Sequence, residues 1–232
     1  METVSVIIIT PQAEELEPLL EGFRRHRCGI ERISVGRIEC ALLHTPRMLV
    51  AVGGHGKVQL AVQAQYLIDR CPAVKMVMCV GAAGRLSDAL AFGDVVVGTC
   101  TIEHDYKLRF VQRPLPCHAA DGHAVQLFRR VSGASPLNFS VHFGPIASGD
   151  EDIVDRARAD ELRMATGALC VAWEGSGAAR AAAFNELSFL ELRGITDGAD
   201  ADAATSFREN LQLVMPNISE LLLRWGEAWG AV

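Results

Sequence analysis

The sequence predicts an α/β fold, in which a mostly parallel, twisted central sheet carries helices on both faces in three layers. Apolar, strand-like runs alternate with helical patterns along most of the 232 residues, and this alternation is typical of parallel sheets. Residues 4–9 form a run rich in β-branched side chains, as in a strand that is buried on both faces. Half of the residues are hydrophobic, which suffices for one sizeable core, so we expect residues 1–232 to form a single domain.

The predicted elements follow from hydrophobic spacing. After the first strand, Leu16, Leu19 and Phe23 lie at helical intervals and predict a helix over Ala13–Arg25. Pro216 is expected to interrupt or kink the last helix, because proline has no amide hydrogen to donate. The proline-containing stretch 104–123 lacks periodicity and is expected to be a long surface connection. Further strands are predicted at 30–35, 38–43, 48–52, 74–80, 94–99, 139–147, 168–172 and 189–196, and further helices at 57–69, 152–164, 176–184 and 207–229.

Composition and charge argue against several classes of protein. The 22 basic and 28 acidic residues give a net charge of −6, so we expect no binding to nucleic acid or to anionic membranes. No apolar run reaches the ~18–20 residues that cross a bilayer, and the first residues lack the features of a signal peptide, which favours the cytoplasm. The seven cysteines include no CxxC pair and the seven histidines show no ligand spacing, so we expect neither disulfides nor a metal or other cofactor.

Polar and glycine residues follow several of the predicted strands, where the ligands of parallel sheets bind. Glu14 and Glu15 come after the first strand, although two charges that stabilise a helix start would give the same pattern. Glu174 and Asp197 each follow an apolar strand and need solvent or partners there, unless they serve as helix N-caps. The remaining junctions are Gly53-Gly54-His55-Gly56-Lys57 and Val80-Gly81-Ala82-Ala83-Gly84, which tight turns or close packing would also explain, and Ser148-Gly149-Asp150-Glu151-Asp152.

In this order and spacing, the segments resemble the nucleoside phosphorylase/nucleosidase superfamily (phosphorylase family 1), and within it the methylthioadenosine/S-adenosylhomocysteine nucleosidases. The resemblance covers about residues 4–213. Residues 54–57 are similar to the motif GxGK, 80–84 with 92–97 to G-[ST]-x-G … x-G-D-[IV]-V, 147–150 to SGD, 171–175 to [VD]-x-M-E-[GA], and 193–197 to R-[AGT]-[IV]-[ST]-D.

The resemblance implies the roles of three acidic residues. Asp197 matches the acid that protonates the purine near N7, and such help is typically worth ~10²–10⁴-fold in rate. Glu174 matches the carboxylate that binds the sugar hydroxyls. A glutamate after the first strand activates the attacking water, and Glu14 is the best match for it, with Glu15 as the rival one residue further on.

The resemblance also implies substrate-binding residues, with two departures from the family pattern. Gly54 belongs to the glycine turn and Ala82 to the block after the fifth predicted strand, while the backbone of Ile153 is implied to bind the base. Asp152 stands where an aromatic residue often stacks on adenine, and Trp173 replaces the methionine that packs under the ribose. The base and the 5′ substituent therefore stay open.

Hydrolysis is favoured over phosphorolysis. Phosphorylases of this family hold phosphate with an arginine after the first strand, whereas residues 10–15 contain two acids and no arginine, and Ala82 replaces the usual hydroxyl. The predicted activity is hydrolysis of the N-glycosidic bond of a purine nucleoside or 5′-modified adenosine. A phosphorylase and a non-catalytic nucleoside-binding module are the alternatives. The family also implies a homo-oligomer, with a dimer favoured.

Overall fold

The structure is a computed structural model, and it describes residues 4–230. The strands are β1 (Val6–Thr10), β2 (Ile30–Val35), β3 (Ile38–His44), β4 (Arg47–Val52), β5 (Met76–Arg85), β6 (Val95–Glu103), β7 (Cys117–Ala119), β8 (Val141–Ser148), β9 (Cys170–Ala172) and β10 (Ser188–Asp197). The helices are α1 (Ala13–Arg25), α2 (Lys57–Ile68), α3 (Gly122–Ala134), α4 (Arg156–Thr166), α5 (Gly175–Phe184) and α6 (Ala203–Trp229).

The strands form one sheet, and its pairing is mixed rather than mostly parallel. Across residues 4–230, five strand pairings are parallel and five are antiparallel. Part of the antiparallel share comes from β2, β3 and β4, whose connections at Gly36 and Pro46 are too short for a parallel crossover. The predicted α/β class is thus confirmed, and the sheet is mixed because it also contains antiparallel pairings that were not predicted.

Helices cover both faces of the sheet, as predicted. Successive residues of β1 point to opposite sides: Val6 and Ile8 pack in the core that includes α1 and α6, while Ile7 and Ile9 pack in the core that includes α2 and α5. Because every residue of β1 is buried, its apolar side chains pack against helices on both faces of the sheet.

Five of the strands close into a ring. β5 pairs with β10 and β9, β10 pairs with β6, and β8 pairs with both β6 and β9. β5 was predicted to end at Val80, but it continues to Arg85 because its last residues pair with β10. The ring therefore brings the ends of β5 and β10 side by side, with Asp197 next to Gly84.

The stretch after β6 contains more structure than the sequence pattern suggested. The expected surface connection 104–123 includes β7, which pairs with β6. Helix α3 was not predicted at all. Its N-cap is Asp121, whose side chain accepts a hydrogen bond from the amide of Ala124 at 2.8 Å, and this signal was present in the sequence.

Of the two effects expected of Pro216, an interruption or a kink, the interruption does not occur, because the last helix passes through Pro216 as one element of 27 residues. It packs closely on α1 at Gly22, where an added β-carbon would lie 2.8 Å from the Cα of Pro216 and 1.8 Å from the Oγ of Ser219. The absence of a side chain at Gly22 thus allows the two helices to approach.

None of the described helices is long and apolar enough to cross a membrane.

We expect Gly22→Ala to destabilise the protein, although alanine is the better helix former. The gain in helix propensity is about 1 kcal/mol. Overpacking costs about 1–3 kcal/mol, and rotating a side chain cannot relieve the contact with the backbone of Pro216. Urea unfolding should therefore show a lower midpoint. Gly133→Ala in α3 is the matched control, because an added carbon meets nothing within 4 Å there. A Gly22→Ala variant as stable as this control would contradict the close packing.

Candidate active site

A cavity of about 290 Å³ opens where β1, β5, β9 and β10 end. Its volume is close to the lower bound of about 300 Å³ for small-molecule sites, and such strand ends are where α/β sheets bind ligands. The polar residues that line it are Gln12, Glu15, His55, Glu151, Asp152, Glu174, Arg193 and Asp197. The other lining residues are Pro11, Ala82, Ala83, Gly84, Ile153, Val154, Val171, Ala172, Trp173, Ala199, Ala203, Ala204 and Phe207.

Of the two glutamates after β1, the structure brings Glu15 to the cavity and leaves Glu14 exposed. Consecutive helical residues are rotated by about 100°, and Glu15 shares the buried side of α1 with Leu16 and Leu19. The structure thus places the rival residue, Glu15, in the cavity lining and leaves the preferred residue, Glu14, outside it. A signal was available, because Glu15 is the third residue after the N-cap Gln12, where a capping box places a glutamate.

Both carboxylate oxygens of Glu15 accept backbone hydrogen bonds. Oε1 accepts from the amide of Ala82 and Oε2 from the amide of Gln12, each at 2.8 Å. Burial raises the pKa of Glu15 to about 7, against the lowering effects of Arg193 and of the Ala82 amide. A carboxyl group with a pKa near neutrality can take up and return a proton at physiological pH, which is what a general base requires.

Glu174 follows β9 at the start of α5 and is 3% exposed. Its Oε1 accepts from the amide of Gly56 at 3.3 Å and lies 3.7 Å from Nδ1 of His55. Its Oε2 lies 3.4 Å from Nη2 of Arg193. Because these contacts are long for charge-assisted hydrogen bonds, the carboxylate keeps the capacity to accept further hydrogens from a ligand.

Asp197 ends β10 and is 8% exposed. Oδ2 accepts from the hydroxyl of Thr196 at 2.8 Å, and Oδ1 accepts from the amide of Ala199 at 3.0 Å. Burial raises the pKa of Asp197 above its ordinary value, although both hydrogen bonds lower it. A carboxyl group that keeps its proton to higher pH is suited to donate that proton to a bound molecule.

Four more of the predicted residues line the cavity. Ala82 contributes its backbone amide to Glu15, and Ile153 is buried in the wall. Asp152 is exposed at the cavity's surface, so it provides no stacking ring. Trp173 is half-buried, and its ring lies against another ring of the cavity wall.

Gly54 is the other predicted residue that the described structure does not place in the cavity lining. It has a φ of 88°, a conformation that favours glycine, and it begins the turn that leads to His55 and Gly56. The ring of His55 lies 4.2 Å from that of Trp173, centroid to centroid, and the amide of Gly56 reaches Glu174. The contribution of Gly54 is thus to the shape of the turn.

Several lining side chains were not singled out from the sequence as site residues, among them Gln12, His55 and Phe207. Phe207, on α6, supplies an aromatic ring that is missing at Asp152. The sequence pattern gives little indication that Phe207 belongs to a site, because it is one apolar residue among many at helical spacing. In the sequence, Arg193 was considered only as part of the motif at residues 193–197. In the structure it is 1% exposed and lies between the carboxylates of the cavity.

The arrangement offers three buried carboxyl groups around one cavity. Within residues 4–230, no group of three His, Cys, Asp or Glu side chains is arranged to hold a metal ion. With their different surroundings, the three carboxyl groups can donate a proton, accept a proton and bind hydroxyl groups.

The chain is similar to known nucleosidases over most of its length. A 5′-methylthioadenosine/S-adenosylhomocysteine nucleosidase of Thermotoga maritima is 30% identical over 206 residues, which cover 89% of this chain and 87% of that protein. The solved structure of such a nucleosidase from Neisseria meningitidis, in complex with methylthio-immucillin-A, has a TM-score of 0.83 at 28% identity and covers 97% and 99% of the two chains. A futalosine hydrolase of Helicobacter pylori has a TM-score of 0.84 at 25% identity, covering 96% and 97%.

These similarities extend over nearly the full length of both partners in each comparison. They confirm the family resemblance found in the sequence motifs. Residues 5–225 match the family model described as the phosphorylase superfamily. The chain belongs to the phosphorylase superfamily.

Proposed function

We propose that the protein is a nucleosidase, an enzyme that hydrolyses the N-glycosidic bond of a purine nucleoside or 5′-modified adenosine and releases free base and free sugar. The observation that carries the proposal is that Glu15, Glu174 and Asp197 line one cavity. The similar proteins include 5′-methylthioadenosine/S-adenosylhomocysteine nucleosidases and an aminodeoxyfutalosine nucleosidase, whose names support the same reaction class.

Asp197 is proposed as the general acid. A purine that leaves as an anion is a poor leaving group, so a proton must reach one of its nitrogens, near N7, while the bond to the sugar breaks. Burial raises the pKa of Asp197, so this carboxyl group keeps its proton to higher pH than an exposed aspartate does. The acid becomes a carboxylate in this step, and the electron pair of the broken bond stays with the base.

Glu174 and Glu15 are proposed to act on the sugar and on water. As the base departs, the sugar becomes oxocarbenium-like, and a carboxylate bound to its hydroxyls stabilises the positive charge. Glu174 is suited to this role because its present contacts are long. Glu15 accepts a proton from the attacking water, whose oxygen forms the new bond to the anomeric carbon. Exchange of protons with solvent restores both acid and base.

The walls of the cavity suit a flat base and an apolar sugar substituent. Phe207 and Ile153 supply apolar surface, and the ring of Trp173 lies against that of His55. Asp152 adds a carboxylate at the surface of the cavity, which can accept hydrogen bonds from an exocyclic amine. We propose that a purine packs against Phe207 in place of the aromatic ring that position 152 lacks.

We also propose a homo-oligomer, with a dimer favoured. Val58 and Val62 lie one turn apart on α2 and are 74% and 64% exposed. Phe184, at the end of the neighbouring helix α5, is 82% exposed. Large apolar side chains exposed on two helices that pack against each other are typical of surfaces that contact another protein.

The cytoplasm is the compartment that we propose. All seven cysteines are free thiols in the structure, and four of them are buried. Free thiols of this number agree with a reducing compartment, where disulfides do not persist.

The purified protein should release free base from a nucleoside in buffer that contains no phosphate, and added phosphate should change neither rate nor product. A panel of adenosine, inosine, methylthioadenosine and S-adenosylhomocysteine, analysed by chromatography, tests this. Release that requires phosphate and yields ribose 1-phosphate would identify a phosphorylase instead. Saturable binding without turnover of any member would favour a non-catalytic nucleoside-binding module.

In the same assay, Glu15→Gln and Asp197→Asn should each lower kcat by about 10²–10⁴-fold, because each removes a proton transfer. Glu14→Gln is the matched control: it makes the same chemical change on the adjacent, exposed side chain and should leave kcat unchanged. The roles would be misassigned if Glu14→Gln lost turnover while Glu15→Gln kept it.

Glu15→Gln should also alter how stability depends on pH. The pKa of Glu15 is raised from 4.5 to about 7 on folding, so the wild type loses stability as the pH rises through this interval and the buried group must ionise. Relative to wild type, the free energy of unfolding of the variant should rise by about 3 kcal/mol over the interval and stay constant above it. Urea unfolding at a series of pH values measures this difference. Glu14→Gln should show no such trend, and a flat difference for Glu15→Gln would contradict the raised pKa.

Light scattering should give twice the chain mass of 25.0 kDa in solution. The double variant Val58→Glu/Val62→Glu should give the mass of one chain, because two charges cannot be buried against a partner without cost. Met164→Glu, on α4, is the matched control, since Met164 is 76% exposed but lies on another helix. A monomeric wild type would refute the proposed dimer.

A further inference from the structure

Glu191 is a buried carboxylate to which the proposed reaction gives no role. It lies on β10, is 0% exposed, and its Oε1 accepts a hydrogen bond from Nε of Arg193 at 2.8 Å. The hydroxyl of Thr101, on β6, donates to its Oε2. A β-carbon on Gly175, the first residue of α5, would lie 2.1 Å from Oε2, so only glycine leaves room for the carboxylate there. Three elements thus enclose this one side chain.

Arg193 extends from Glu191 into the catalytic cavity. Its Nη1 donates to the carbonyl of Ala82 at 3.2 Å, and its Nη2 lies 3.4 Å from Oε2 of Glu174. Glu15 is close to the same guanidinium: a β-carbon on Gly81 would lie 2.5 Å from Oε1 of Glu15 and 2.8 Å from Nη1 of Arg193. The shortest of the guanidinium's hydrogen bonds is the one to Glu191, so this carboxylate fixes its position.

We propose that Glu191 is a positioning residue for the hydrolysis, an inference that rests on the proposed function. It holds Arg193 by Nε and balances its charge, so that the guanidinium does not form an ion pair with Glu15. Glu15 then remains able to take the proton of the attacking water.

The charges around Glu15 explain why this balance matters. The groups that face Glu15 are Arg193, Glu174 and the thiol of Cys79, and burial raises the pKa of that thiol so that it stays uncharged. Arg193 is thus the cation of this set, and it lowers the pKa of Glu15. If Glu191 were neutral, the charge of Arg193 would act on Glu15 and Glu174 alone, and Glu15 would become a weaker base.

The groups around Glu191 itself do not replace its charge. Besides Arg193, the titratable side chains that it influences are Cys79, His118 and Cys170. Burial lowers the pKa of His118 and raises the pKa of both thiols, and each of these shifts favours the uncharged form. Glu191 is therefore the group that offsets Arg193 from the side away from the cavity.

The test is the pH dependence of kcat in wild type and Glu191→Gln, with a hydrolysed nucleoside as substrate. In the wild type, kcat should fall as the pH drops below about 7, because Glu15 is then protonated. In Glu191→Gln, kcat at high pH should be about tenfold lower with KM changed less than about twofold, and the fall should begin at lower pH. An unchanged kcat would overturn the proposal. A lower kcat whose fall still begins at the wild-type pH would also overturn it, because a merely structural loss would not change the pH at which kcat begins to fall.

A second variant covers the case in which Glu191→Gln does not fold. The double variant Glu191→Gln/Arg193→Gln removes both charges of the buried pair, a change that proteins often tolerate. Without either charge, kcat should begin to fall at the same pH as in the wild type or at a higher pH. A fall of kcat that begins at a lower pH in the double variant would overturn the proposal.

The pKa of Glu15 can also be followed without turnover, from the carbon-13 NMR titration of its carboxyl group. It should be lower in Glu191→Gln than in wild type, and an equal or higher value would overturn the inference. This readout separates the two proposals: a wild type that hydrolyses no nucleoside refutes the proposed function, whereas the titration still decides the part played by Glu191.

Discussion

One buried guanidinium faces three buried carboxyl groups, and the rest of the site depends on how this charge is shared. Arg193, Glu15, Glu174 and Glu191 are each at most 3% exposed. Three carboxylates beside one cation would leave an excess of negative charge in a region of low dielectric, which is unfavourable. A proton on one of the carboxyl groups relieves this excess, and the pKa of about 7 makes Glu15 the group that holds it. The proposed general base is thus the carboxyl group that burial, more than the neighbouring charges, leaves with an exchangeable proton.

The ring of strands makes this cluster possible. β10 is paired on both sides, with β5 and with β6, so its side chains at alternate positions face the interior of the ring. Glu191 and Arg193 occupy two such positions, and Arg193 lies opposite Gly81 of β5. Because Gly81 has no side chain, Glu15 can reach the guanidinium from α1. A larger residue there would separate the base from its cation.

The sequence could predict the parts of the site that depend on order along the chain, and not those that depend on burial. Glu174 and Asp197 were found because each follows an apolar strand. Glu14 was preferred to Glu15 because two adjacent acids look alike until the helix is oriented against the core. Glu191 was not singled out, since its surroundings come from Thr101 and from the start of α5, which are distant in sequence. The antiparallel pairings of β5 with β9 and of β6 with β10 were missed for the same reason, because they arise where the ring closes.

The same charge balance bears on the choice between water and phosphate. A phosphate dianion needs cationic donors that are free, and Arg193 already donates to Glu191 and to the carbonyl of Ala82. Entering beside Glu15 and Glu174, the dianion would add two negative charges to a region that already carries an excess. Water carries no charge and needs only an acceptor for one proton, which Glu15 provides. Burial of these carboxyl groups raises the pKa of Glu15 and also removes the solvent that would screen a dianion from them, so the basicity of the site and its proposed preference for hydrolysis have one physical cause.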